Sequence, residues 1–272
     1  MAQSLTKNGE TVLSRYAPES VYLLGAGNAI LLQLAMPQVG HGVARHSNFA
    51  ANPVARLHGT LTYIYALSNG TDAQRAKVRD IVNIAHAPVK AAAAKDGSHP
   101  AYSARDPRLQ LWVAATLYSS AMQIHEHVFE PLAEAEAEEL FQQYAVLGTE
   151  LGMPAELWPA NLQEFATYWA ETSSQLRVDD TVRGVARELL EAKAAPLWVR
   201  ALMPLARLMT KGLLGPELRE LYGFSWSPRQ QRAMGYVLSA ARLSVKILPR
   251  AVRHVPMHLY LKRLERSGQE RQ

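Results

Sequence analysis

There is no cysteine among the 272 residues of this chain. That excludes disulfides, cysteine-bound zinc, iron–sulfur clusters and thiolate-bound haem, and it agrees with a reducing compartment. Strand-like alternation of apolar and polar residues is absent throughout, which leaves the helical period as the organising pattern. Long hydrophobic runs are missing too. The longest, Val21 to Met36, is broken by Gly25, Gly27, Asn28 and Gln33, so no membrane-crossing segment is expected. The N-terminus is polar and lacks a signal-peptide core, so the expected location is the cytoplasm. No internal repeat, serine–histidine elbow or phosphate loop is present. Gly25-Ala-Gly-Asn28 is a fragment of a dinucleotide fingerprint, but it lacks the third glycine and a preceding strand. Small residues there suit the close approach of another helix or of a flat ligand.

What is present is an ordinary globular balance, 48% hydrophobic and 19% charged, with charge unevenly spread. Residues 200–272 carry 14 Arg and Lys against 4 Glu, whereas the first 199 carry 15 cations against 20 acids. A basic amphipathic tail of this kind is a candidate for peripheral contact with an anionic membrane surface. No nucleic-acid motif accompanies the charge, so nucleic acid is not expected as a partner. The sequence leaves the oligomeric state open.

The expected fold class is all-α, a single domain of roughly ten helices. Residues 1–17 read as a polar, irregular segment, 18–260 as the helical domain, and 261–272 as a basic tail. Pro18-Glu19 should start a helix running to about Leu34, closed by Pro37. His41 to Phe49 follows as a glycine-flanked connecting segment, with Asn52-Pro53 as a turn. Further helices are expected from Arg56 to about Leu67, from Thr71-Asp72 to about Ala94, and from Asp106-Pro107 to about His127. Later ones cover residues 131–151, Asn161 to Gln175 and Asp180 to Ala194. The tail should hold short helices separated by Pro196, Pro204, Gly215-Pro216, Pro228, Pro249 and Pro256.

The chemistry centres on His86. Ile81, Val82, Ala85 and Val89 recur at helical spacing, which puts His86 at the edge of an apolar face. A histidine there is either a core residue bonded to a carbonyl or a ligand to a flat apolar cofactor. Arg56 and Thr60 are four residues apart and share a helix face, a guanidinium able to grip a carboxylate and a hydroxyl able to bond a small ligand. Leu109, Trp112, Val113 and Thr116 form one stripe, either core packing or the wall of a pocket. A rival metal reading uses His125-Glu-His127 with the acids at 134–139. Residues i and i+2 of a helix point about 200° apart, and the zincin and di-iron spacings are absent.

Several segments in this order resemble one family. They are Tyr16 to Pro37, Gly42 to Phe49, Arg56-x-x-x-Thr60, His86-Ala-x-Val89, Asp106-Pro-x-Leu-x-x-Trp-Val-x-Ala-Thr-Leu117, Leu218 to Trp226 and Leu248-Pro-Arg250. Together they resemble the superfamily of rubber oxygenases (latex clearing proteins) and mycophenolic-pathway oxygenases, over roughly residues 12–260. The resemblance implies a globin-like all-α core holding one haem b, with His86 as the proximal iron ligand and Arg56 and Thr60 beside the haem. It implies an oxygenase that uses dioxygen on a small apolar or alkene-containing substrate. Arg56 would then anchor polar or propionate groups, Thr60, His58 or His41 would supply the distal hydrogen bond, and Trp112 and Thr116 would line the cavity. Where rubber oxygenases have a lysine just before the shared threonine, this chain has Gly59. Asn83 and Lys90 stand near the places of two arginines, and Val39-Gly40-His41 occupies the region of the family's catalytic glutamate. The alternative reading is a haem- or lipid-binding protein without turnover.

Overall fold

The structure is a computed structural model that describes residues 10–46 and 53–269. Helices dominate. Thr11 caps α1 (Val12–Tyr16) through its hydroxyl, so a helix stands inside the segment expected to be irregular. Pro18 and Glu19 lead not into an α-helix but into a 3-10 turn, Ser20–Gly25. α2 (Ala26–Ala35) and α3 (Pro37–His46) follow. Pro37 therefore opens a helix as well as ending one. It sits at the first position, where no N–H is needed. The two helices meet at a bend of 102°. Ser47 to Asn52, the rest of the expected connecting segment and its turn, lie outside the described residues.

α4 (Pro53–Asn69) and α5 (Asp72–His86) form a hairpin. Thr71 and Gln74 close a capping box at the start of α5, which fixes the helix phase. That phase buries Gln74 and Val78 and leaves Val82 and His86 half-buried on the same i, i+4 stripe. Ile81, Ile84 and Ala85 face outward instead. The helix stops at His86 rather than near Ala94, because Pro88 has no N–H to continue the ladder. Lys90–Ala91 (β1) and Tyr102–Ser103 (β2) then pair antiparallel, a short ribbon that the alternation pattern was too brief to announce.

α6 (Pro107–Val128) is the central helix, capped by Asp106. α7 (Glu134–Tyr144), α8 (Val146–Thr149), α9 (Leu162–Ser173) and α10 (Asp180–Glu191) pack around it and α2. The tail supplies α11 (Leu197–Leu213), α12 (Pro216–Leu221), α13 (Pro228–Ile247), α14 (Arg250–Arg253) and α15 (Val255–Gln269). Pro204 lies inside α11 instead of ending it. Both Pro204 and Arg200, whose carbonyl loses its helical donor, are on the exposed side, so water can take that bond. The expected boundary at residue 260 falls within α15.

α2 and α6 are the heart of the molecule. Gly25 and Gly27 let neighbours come close. A side chain at Gly25 would meet the Ser120 carbonyl on α6, and one at Gly27 would run into Thr210 on α11. Asn28 and Gln33, which interrupt the apolar run in the sequence, are both buried on α2 and stitched to α6. One apolar cluster lies between α1, α4, α6 and α7, and a second between α2, α3, α10 and Trp112. No single helix among the described residues is long and apolar enough to cross a membrane.

Candidate functional site

α2, α4 and α6 part around a pocket with a cavity volume of about 80 Å³. Its walls are mostly carbon. Leu57, Leu61 and Ile64 come from α4, Ala26, Ala29 and Ile30 from α2, and Leu117 and Ala121 from α6. Thr60, Gln33, Ser120, Tyr22, Tyr65 and Tyr144 are the polar side chains in this lining. Burial holds the Tyr22 and Tyr144 phenols above their ordinary range, and that of Tyr65 is pushed up to about 12. All three therefore stay protonated and neutral near pH 7. A mostly apolar cavity with a few placed hydroxyls and one amide suits a small apolar ligand.

Thr60 opens into this pocket, and Arg56 lies one turn earlier on α4. The Arg56 guanidinium donates to Gln33 Oε1 at 3.4 Å, a long bond. Its pKa falls to about 10 through burial, so it remains a cation held away from water. Gln33 uses its other end on α6. Its Nε2 donates to Thr116 Oγ1 at 3.1 Å, and that hydroxyl donates to the Val113 carbonyl at 2.7 Å. Arg56, Gln33 and Thr116 thus run from α4 through α2 to α6 behind the pocket wall.

His86 closes α5 at the level of the start of α4. Its Nδ1 is buried and has no hydrogen-bond partner. Its pKa is lowered, first by burial and then by the positive charges of Arg56 and Arg105. The ring is therefore neutral at pH 7, the form in which imidazole binds a metal. His86 is not in the pocket lining itself; the charge of Arg56 is the link between the two.

The other sequence candidates fall elsewhere. His41 is in α3, not in a connecting loop, and is 5% exposed. It bonds Asp179 through Nε2 at 2.8 Å, and its ring stands 6.2 Å from that of His99. His58 turns toward α15 and meets Tyr260 edge-on. Trp112 is core packing. Its Nε1 donates to the Leu32 carbonyl at 3.2 Å and its ring stacks on Trp169. Gly59 is exposed, and a Cβ there would meet nothing within 4 Å.

His125 is buried and His127 exposed, as their spacing requires. No group of three or more metal-ligating residues occurs among the described residues. His125 has another role that the sequence concealed. Its Nδ1 lies 2.9 Å from the Tyr22 hydroxyl on the pocket wall, and Tyr16, Tyr22 and Phe129 pack around its ring. Gln33 was hidden in the same way: in the sequence it reads only as a polar break in an apolar helix.

Comparison with known proteins gives a consistent picture. The family model described as "ER-bound oxygenase mpaB/B'/Rubber oxygenase, catalytic domain" matches residues 14–245. An uncharacterized protein of Mycobacterium bovis and one of Mycobacterium tuberculosis are each 36% identical over 244 residues, 88% of this chain and 94% of theirs. A solved structure of latex clearing protein in the closed state superposes with a TM-score of 0.62 at 16% identity. The match covers 96% of this chain and 76% of that one, a likeness of fold.

Proposed function

The chain belongs to the family of mpaB-type and rubber oxygenase catalytic domains, and from that premise we propose that it is a haem-b-dependent oxygenase acting on a small apolar or alkene-containing substrate. One observation carries the haem reading. The His86 imidazole is neutral and its Nδ1 unpartnered, beside a buried guanidinium that reaches Gln33 on the pocket wall. A histidine free of other partners and a buried cation fit a haem iron and an anionic haem edge. His86 would hold the iron and Arg56 the anionic edge. When bound, a histidine-ligated haem supplies the redox chemistry that activates dioxygen.

The chain's own groups do the rest. Leu57, Leu61, Ile64 and Leu117 exclude water and take up the apolar substrate. The Thr60 hydroxyl on the pocket wall would donate to a bound ligand, and Gln33 holds Arg56 and Thr116 in register. Tyr22 Oη and His125 Nδ1 hold one proton between them at the wall.

A second reading, a haem- or lipid-binding protein without turnover and peripheral to a membrane, is favoured by one feature. Leu197, Trp198 and Leu202 are all more than half exposed on the basic tail's first helix. Substrate-dependent oxygen uptake separates the two readings, because only the enzyme shows it.

The test of the haem assignment is an absorption spectrum of protein expressed with ample haem supply. A Soret band that shifts on dithionite reduction and with carbon monoxide supports it. In His86→Ala that band should be lost while the far-UV circular dichroism is kept. An unchanged Soret band in His86→Ala overturns the assignment.

A further inference from the structure

A second concavity lies away from the first, on α10 and α11. It is an open groove of about 250 Å³ between α10 and α11, closed at one end by Tyr222, Gly223 and Phe224. Its side chains are unlike those of the first pocket. Arg183 and Arg187 come from α10, and Arg207 and Lys211 from α11. Glu191 is the one acid in the lining, and it is paired with Lys193 at 2.9 Å.

The arrangement works against the fold. Arg183 and Arg187 are an i, i+4 pair of like charge, and so are Arg207 and Lys211. Each such pair disfavours its own helix, and here the two pairs face each other across one groove. Neighbouring groups neutralise only part of this. Arg183 is bonded to Asp180 at 2.5 Å and to the Leu221 carbonyl, and Lys211 lies over the Phe224 ring. Arg187 and Arg207 have no hydrogen-bond or ion-pair partner among the described residues. Two unpaired guanidinium forks in a concave site are built to take a planar or tetrahedral oxyanion by paired N–H bonds.

We propose that the α10–α11 groove is a binding site for a phosphate-bearing anion, gripped by Arg187 and Arg207 and flanked by Arg183 and Lys211. More than one negative charge is called for, since four cations converge, so a phosphate ester or diphosphate fits better than a lone carboxylate. The phosphate can belong to a free small molecule or to the headgroup of an anionic lipid. The exposed Leu197, Trp198 and Leu202 at the start of α11 would accept acyl chains in the second case. The site is separate from the α2–α4–α6 pocket and stands whether or not that pocket holds haem.

The experiment uses the full chain and two probes, inorganic pyrophosphate and phosphatidylcholine vesicles containing phosphatidic acid. Titration calorimetry at low salt should show pyrophosphate binding to the wild type. Arg187→Gln with Arg207→Gln should weaken it at least about tenfold, the loss of two charge-assisted forks. Arg229→Gln with Arg232→Gln, two exposed cations on α13, is the control for unspecific charge and should change it less than about twofold. Vesicle co-sedimentation that disappears in the groove variant and survives in the control assigns the phosphate to a lipid headgroup. Pyrophosphate binding without vesicle binding assigns it to a free ligand. The proposal is overturned if neither probe binds the wild type, if the groove variant binds both as the wild type does, or if the control variant loses binding equally.

Discussion

Gln33 Nε2 donates to Thr116 Oγ1 across 3.1 Å, and this bond ties α2 to α6 directly behind the pocket. Both residues are buried, so neither can exchange its partner for water. The other end of the amide accepts from Arg56. Thr116→Val keeps the shape but leaves the Gln33 donor unsatisfied. It should lower stability by about 1–3 kcal/mol, the cost of a buried unpaired group. Gln33→Leu should cost a similar amount, and the double variant should cost less than the sum, since the two changes remove the same bond. Urea denaturation of the three variants measures the coupling.

The buried histidines set a pH limit on stability. Burial lowers the pKa of both His86 and His125 below the ordinary 6.5. The unfolded chain therefore takes up these two protons at a higher pH than the folded protein does. Above about pH 6.5 neither state is protonated and stability is flat. As the pH falls below that value, stability declines by at most about 1.4 kcal/mol per pH unit for each histidine. In the haem-free protein, denaturant midpoints between pH 7.5 and 5.5 should fall in the wild type, and the slope should be smaller in His86→Leu. An equal slope in both proteins would assign the pH dependence to other groups.

Legibility of this fold in the sequence depended on local signals. Asp106-Pro107 fixed the start of α6, and Thr71 fixed that of α5, because caps and first-turn prolines act within four residues. The all-α class followed from period alone. The face of α5 did not. Ile81 and Ala85 read as core but point outward, because the surrounding elements, not hydrophobicity, choose which stripe is covered. Pro37 and Pro204 read as helix ends, yet Pro37 sits at a first position where no N–H is needed and Pro204 sits where water can reach the freed Arg200 carbonyl. Of the candidate site, the placement of Arg56 and Thr60 on one helix and of His86 at the end of the next was legible from spacing. Its polar links were not. Gln33 to Thr116 spans 83 residues, and Tyr22 to His125 spans 103, distances over which no sequence period carries information.

The glycines of α2 and α4 give opposite expectations. Gly59 lies inside α4, and a Cβ there would meet nothing within 4 Å. Gly59→Ala should raise stability by about 0.5–1 kcal/mol through helix propensity. Gly27 is the contrary case. Its Cβ would collide with Thr210 on α11, so Gly27→Ala should destabilise by about 1–3 kcal/mol as overpacking. Paired thermal melts decide both, and a stabilising Gly27→Ala would show that α11 can move away from α2.

Glu19 ties the two ends of the chain together. Its side chain is 4% exposed, and its carboxylate is held by Arg253 and by His254 Nε2, the latter at 3.1 Å. It sits just before the 3-10 turn that carries Tyr22 and Leu23 to the pocket. Those two partners lie at the end of α14 and just past it, beyond residue 245 where the family match ends. Removing one partner of a buried pair leaves the other charge without compensation, which costs about 3–5 kcal/mol. Arg253→Met should therefore be destabilising on that scale, while Glu19→Gln with Arg253→Met, which removes both charges, should recover part of the loss. Truncation after Ile247 should be at least as damaging as Arg253→Met, because it strips both partners from Glu19 and takes α15 away from α4. Denaturation midpoints test the order, and a truncated chain as stable as the full one would mean that Glu19 finds another partner or water when α14 is gone.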